Sequence, residues 1–216
     1  LSFLFLGGPE PAAPGPVIPG PDPTPDSLEC ESYDVRPLEP TDDVALGFEG
    51  PLVLAGAEPP FLGVVFATLA IEPDADMAFV GWSVRVELQG EGLRLVGVST
   101  EGTAAAPAPE GRLHQGFSVA ELLPPEEGSG PSVAAVSTTL LSLLTPSELP
   151  SGSTERILRL AVESSRPPEP PDADQVLGKL AYVDGTQPSG VVLRNVVHGY
   201  RRARLPRLED GEISLR

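Results

Sequence analysis

The stretch Phe79-Val80-Gly81-Trp82-Ser83-Val84-Arg85-Val86-Glu87-Leu88 alternates strictly, with Val80, Trp82, Val84, Val86 and Leu88 on one parity and Phe79, Gly81, Ser83, Arg85 and Glu87 on the other. Successive side chains of an extended strand point to opposite faces, so this period of two sends the first set into a core. Trp82 is in phase with that set, which makes it a packing anchor rather than a sugar platform. The same logic sets Leu158, Leu160 and Val162 on the opposite face from Ile157, Arg159 and Ala161.

Working outward, the chain from Leu28 onward reads as short apolar or alternating runs separated by Gly, Pro and acidic turns. That is the pattern of an all-β, antiparallel β-sandwich. Strands are expected at 30–36, 44–49, 61–70, 79–88, 93–99, 115–122, 132–143, 154–163, 178–184, 190–198 and 211–215, with 118–123 or 138–149 open to a short helix instead. Two Pro-, Ala- and acid-rich insertions, 101–114 and 164–177, are expected to be surface loops. With 27 Pro and 23 Gly in 216 residues, little room is left for long helices.

Charge narrows the partners. Thirty-one acidic residues against fourteen basic ones leave a net charge of −17. Such a surface repels phosphate backbones and anionic headgroups, which argues against nucleic acid and membrane surfaces as partners. No stretch approaches the roughly 20 apolar residues of a membrane-spanning helix. Cys30 is the only cysteine, so an intrachain disulfide is impossible; it is expected to be a small buried residue, with an intermolecular disulfide as the alternative.

Several segments resemble the cohesin-like domains of secreted bacterial proteins, particularly the divergent versions in planctomycete-type surface proteins. They are Gly81-Trp82-Ser83-Val84-Arg85-Val86, Val98-Ser99-Thr100-Glu101-Gly102-Thr103, Gly116-Phe117-Ser118-Val119, Leu149-Pro150-Ser151-Gly152-Ser153, Leu180-Ala181-Tyr182-Val183-Asp184-Gly185 and Asn195-Val196-Val197, in matching order. The resemblance implies a jelly-roll sandwich over residues 28–216, an extracellular or cell-surface location, and protein binding through a sheet face. A dockerin, a surface protein or a polysaccharide would be the partner of a monomeric adhesion or scaffold module of this kind. No dockerin-contact motif is recognisable, and no contact residue is carried over.

Catalytic signatures are scarce. His114 and His198 have no Cys or His at ligand spacing, and Gly116-Phe117-Ser118-Val119-Ala120 lacks the final glycine of a nucleophile elbow. No phosphate-binding or dinucleotide fingerprint occurs. A non-enzymatic protein with no cofactor is therefore expected. Pro73-Asp74-Ala75-Asp76 and Pro171-Asp172-Ala173-Asp174 suit turns, and Asp74 with Asp76, or Asp172 with Asp174, are candidates for a structural Ca²⁺.

The N-terminal part reads differently. Residues 9–27 are proline-rich, with eight prolines in positions 9–26. An extended polyproline arm of that length reaches about 55 Å, farther than the roughly 40 Å diameter of the domain. Before it, within residues 1–8, stands Leu1-Ser2-Phe3-Leu4-Phe5-Leu6. As a strand it would bury Leu1, Phe3 and Phe5 on one face and Leu4 and Leu6 on the other, contributing roughly 7–15 kcal/mol before ordering costs. Its expected groove lies on a neighbouring copy, by donor-strand addition, or on its own sandwich. Residues 1–60 hold eleven acids against Arg36 alone, whereas 194–207 hold Arg194, Arg201, Arg202, Arg204 and Arg207 without an acid. Head-to-tail contact of these ends could propagate copies into a filament; pairing inside one domain is the alternative.

Overall fold

The computed structural model describes residues 38–56, 58–76, 78–106, 117–123, 134–141, 148–165, 176–186, 192–199 and 202–215. They belong to one compact unit, Leu38–Arg216. The described strands are β1 (Glu39–Phe48), β2 (Leu52–Leu54), β3 (Phe61–Ile71), β4 (Phe79–Gln89), β5 (Leu93–Ser99), β6 (Phe117–Leu123) and β7 (Ala134–Leu140). The second half adds β8 (Thr154–Ser164), β9 (Val176–Tyr182), β10 (Gly185–Thr186), β11 (Val192–Leu193), β12 (Val196–Gly199), β13 (Ala203–Leu208) and β14 (Gly211–Leu215). No helix occurs among the described residues.

Strand β4 is the centre of one layer. β4 pairs antiparallel with β7 along Gly81–Glu87, while its other edge is shared by β12 at Phe79–Ser83 and β9 at Val86–Gln89. β6 continues this layer beyond β7, and β14 and β2 continue it beyond β9. The opposing layer runs β13, β1, β3, β8, β5. β12 pairs with β13 and joins the two layers into one continuous ladder folded on itself. The product is an all-β sandwich.

The period of two does its work in the core. Val80, Trp82, Val84, Val86 and Leu88 are all buried, Trp82 completely, and the last four share one core cluster with Leu158, Leu160 and Val162 from β8 and Val44 and Leu46 from β1. The Trp82 indole N–H donates to Ser137 Oγ at 3.4 Å, so its one polar atom has a partner in the dry interior. Gly81 sits where β7 comes closest: a Cβ there would run into the Thr139 carbonyl oxygen, which is backbone and cannot rotate away.

Several expectations need correction. Ile157 is fully buried although its parity points it outward. The β3–β8 register passes from Ala67↔Leu158 to Thr68↔Arg156, so Ile157 is the extra residue of a bulge, and the bulge turns it inward. Phe79 is also buried, at the end of β4 where its backbone bridges Leu149. Segment 118–123 is strand, as the reading of 115–122 expected, and its helix alternative falls because all of β6 pairs with β7. The strand expected from 44 begins at Glu39, and β2 and β13 were not anticipated. Within the insertion expected as loop at 101–114, Ala105 belongs to the core and Ala104 N–H donates to Arg156 O at 2.9 Å. The expected strand 30–36 lies outside the described residues, as do Cys30 and His114.

Candidate binding face

The outward parity of β4 builds a polar face on its layer. The register places Ser83 between Val196 of β12 and Thr138 of β7, with Val119 of β6 next in the row. Ser83 Oγ donates to Thr138 Oγ1 at 3.3 Å and lies 3.3 Å from His198 Nε2. Val119 is 43% exposed at the end of this row.

The next row holds Arg85, half-buried between β7 and the segment after β9. Its Nη2 pairs with Glu87 Oε1 at 2.7 Å and its Nη1 donates to Asp184 O at 3.4 Å. A Cβ on Gly185 would collide with this guanidinium, so the glycine makes the space in which Arg85 lies. Beneath it, Asn195 is buried: its Oδ1 accepts from Arg85 N–H at 2.8 Å, while its backbone N–H and Nδ2 donate to Asp184 Oδ1 at 2.9 and 3.1 Å. A two-sided amide thus ties the 184–195 connection to the middle of β4. An open cleft of about 610 Å³ lies beside this tie, with Asp42, Tyr182, Asp184, Asn195 and Pro206 among its walls.

Burial holds the His198 imidazole below its ordinary pKa. A histidine kept neutral in the fold binds its proton more readily when unfolded, so its contribution to stability is present above the unfolded pKa and is lost as pH falls toward the folded one. His198→Gln should therefore lose less stability than the natural chain between pH 7 and pH 5, read from paired thermal unfolding curves. Equal losses in the two proteins would remove this assignment.

Ser83 and His198 do not make a catalytic triad. Among the described residues no carboxylate hydrogen-bonds to the imidazole, and no group of three or more His, Cys, Asp or Glu side chains is placed to hold a metal. The Ca²⁺ candidates divide. Asp172 and Asp174 lie outside the described residues. Asp74 is in a turn, and Asp76 Oδ2 meets Arg202 Nη2 at 2.7 Å and Arg204 Nη2 at 3.8 Å, so a cation there would have to displace two guanidinium groups.

The assembly candidates divide likewise. Leu1, Phe3, Leu4, Phe5, Leu6 and Arg201 lie outside the described residues. Arg204 also pairs with Glu39, and Arg207 Nε with Glu209 Oε1 at 3.1 Å, so Arg202, Arg204 and Arg207 of the basic segment are met by acids of their own domain. The Ser83–Thr138–His198 row was not foreseen from sequence, beyond the outward parity of Ser83.

No family model matches the chain, and no curated protein does. Among solved structures it is similar to cohesin domains. One is the type I cohesin–dockerin complex from Clostridium thermocellum, at 10% identity over 81% of this chain and 100% of that one, with a TM-score of 0.48. Another is the sixth cohesin of scaffoldin B from Acetivibrio cellulolyticus, bound to a Cel5 dockerin, at 10% identity over 82% and 100% with a TM-score of 0.49. A type II cohesin domain from the cellulosome of Acetivibrio cellulolyticus gives 11% identity over 81% and 95%, with a TM-score of 0.44. The fold described above rests on its own strand ladders. No helix among the described residues is long and apolar enough to cross a membrane.

Proposed function

We propose that this domain is a non-catalytic, extracellular recognition module that takes a protein partner on the outer face of β6, β7, β4 and β12. The observation that carries this reading is the group Val119–Thr138–Ser83–His198, in which half-buried side-chain hydrogen-bonding groups and an exposed valine share one sheet face. Hydroxyl and imidazole groups fixed by one another offer directional contacts at low ordering cost, and an apolar neighbour supplies the desolvated contact that affinity needs. The resemblance in sequence to cohesin-like domains agrees with this, and makes a dockerin the first partner to test, before another surface protein or a polysaccharide. Polymerisation by N-terminal strand addition rests on Leu1–Leu6 and has no support from the described residues.

Calorimetric titration against a panel of dockerin modules tests the reading. A dockerin that binds should lose at least about tenfold in affinity to Val119→Asp or Thr138→Arg, which is about 1.4 kcal/mol. If affinity is unchanged by both substitutions, the partner sits elsewhere and this face is not the site.

A further inference from the structure

The opposite layer presents a different surface. On the outward parity of β3 and its neighbours, Leu62 is 54% exposed, Val64 47% and Val96 39%. The register sets Leu62 beside Glu163 and Arg94, Val64 beside Ala161 and Gly97, and Phe66 beside Arg159. Val96 stands at a bulge in β5, between Leu95 and Gly97. Leu62, Val64 and Phe66 thus line the outer side of β3 as a stripe, with Val96 across Ala161 of β8 on the edge strand β5. Contiguous exposed apolar surface of this kind marks contact sites.

Charge says what can come to it. Three ion pairs border the stripe: Arg94–Glu163 at 3.6 Å, Arg159–Glu101 at 3.9 Å, and Arg156–Glu49 at 2.5 Å, with the Arg156 guanidinium 4.2 Å above the Phe66 ring. Their charges cancel, three positive against three negative, in a chain whose net charge is −17. Two copies of so acidic a protein repel over most approaches. Here they meet a balanced rim in which each arginine has a glutamate to face across a two-fold axis, around a centre that gains from losing water. β3 and β8, with 11 residues each, measure about 35 Å in length and β5, with 7, about 23 Å, and the three with their side chains span about 15–20 Å. That is roughly 450–600 Å², at or just below the lower end of what each partner of a standard interface contributes.

We infer that the outer face of β3, β8 and β5 is a self-association surface through which two copies of this chain pair isologously. The surface lies on the layer opposite the polar face, so pairing leaves that face open.

Sedimentation equilibrium of the full chain tests this. The natural protein should show a reversible monomer–dimer equilibrium at up to about 100 µM, a concentration range suited to a small interface. Val64→Asp should weaken it at least about tenfold, since a carboxylate would have to be desolvated at the centre of the contact. Deleting residues 1–8 should leave it unchanged. If Val64→Asp proves unfolded by circular dichroism, Leu62→Lys, at the more exposed position, takes its place. A natural protein that stays monomeric throughout overturns the inference. So does a dimer that survives the substitution, or one lost on deleting residues 1–8.

Discussion

Trp82→Ala should lower the unfolding free energy by about 3–5 kcal/mol, the range for removing a large aromatic from a closed core. The side chain has no exposed surface and stands among residues from both layers, so neither layer can move in to fill the space without breaking the β4–β7 and β4–β12 ladders. Ser137 Oγ, itself 1% exposed, would lose the indole as a partner at the same time. Because Trp82 is the only tryptophan, the measurement needs circular dichroism rather than fluorescence in a denaturant titration. A loss below about 1 kcal/mol would mean that the two layers are not packed as described.

Asn195→Ala should cost about 3 kcal/mol, since it strands more than one polar group at a buried position. Arg85 N–H loses its acceptor, and Asp184 Oδ1 loses the Nδ2 donor. Asn195→Asp separates the two halves of the effect. It keeps an acceptor for Arg85 N–H but sets a second carboxylate against Asp184, so its penalty should shrink as pH is lowered and the pair is allowed to hold a proton. Were Asn195→Ala as stable as the natural chain in urea, the tie between β4 and the 184–195 connection would carry no weight.

What could be read from the sequence follows the physics of each strand. β4 was legible because both its edges are paired and one face is dry, so every second residue had to be apolar. β13 was not legible: Ala203-Arg204-Leu205-Pro206-Arg207-Leu208 combines arginines that are met by ion pairs with a proline that cannot donate to a ladder. Its pairing with β1 is broken by a register shift between Pro40 and Ala45, the kind of irregularity that accommodates such a residue. The first half of β1, Glu39-Pro40-Thr41-Asp42-Asp43, carries no apolar alternation because it is exposed or only half-buried. The polar face was half legible. Period two turned Ser83 outward, but only the topology brings it to His198, 115 residues along the chain.

The stripe on β3 was hidden for the opposite reason. Phe61-Leu62-Gly63-Val64-Val65-Phe66 is apolar at both parities, so its sequence does not mark which face is left in solvent. In the fold only Phe61, Gly63 and Val65 share the inward parity with Ala67, and Leu62 and Val64 are left in solvent.

The parallel pairing of β1 with β13 has a consequence for how the chain reaches this fold. Glu39 finds Arg204 across 165 residues, and β2 likewise waits for β14. Contacts of such range are formed late, because the loop they close must first be ordered. In a chain made from its N-terminus, the edge of β1 that β13 will cover stays open until β13 itself has been made. Slow folding then coincides with an unpaired strand edge whose second half, Val44-Ala45-Leu46, is apolar, the condition under which nascent chains bind one another. The acidic residues that precede and begin β1, including Asp26, Glu29, Glu31, Asp34, Glu39, Asp42 and Asp43, keep like-charged neighbours apart during that interval.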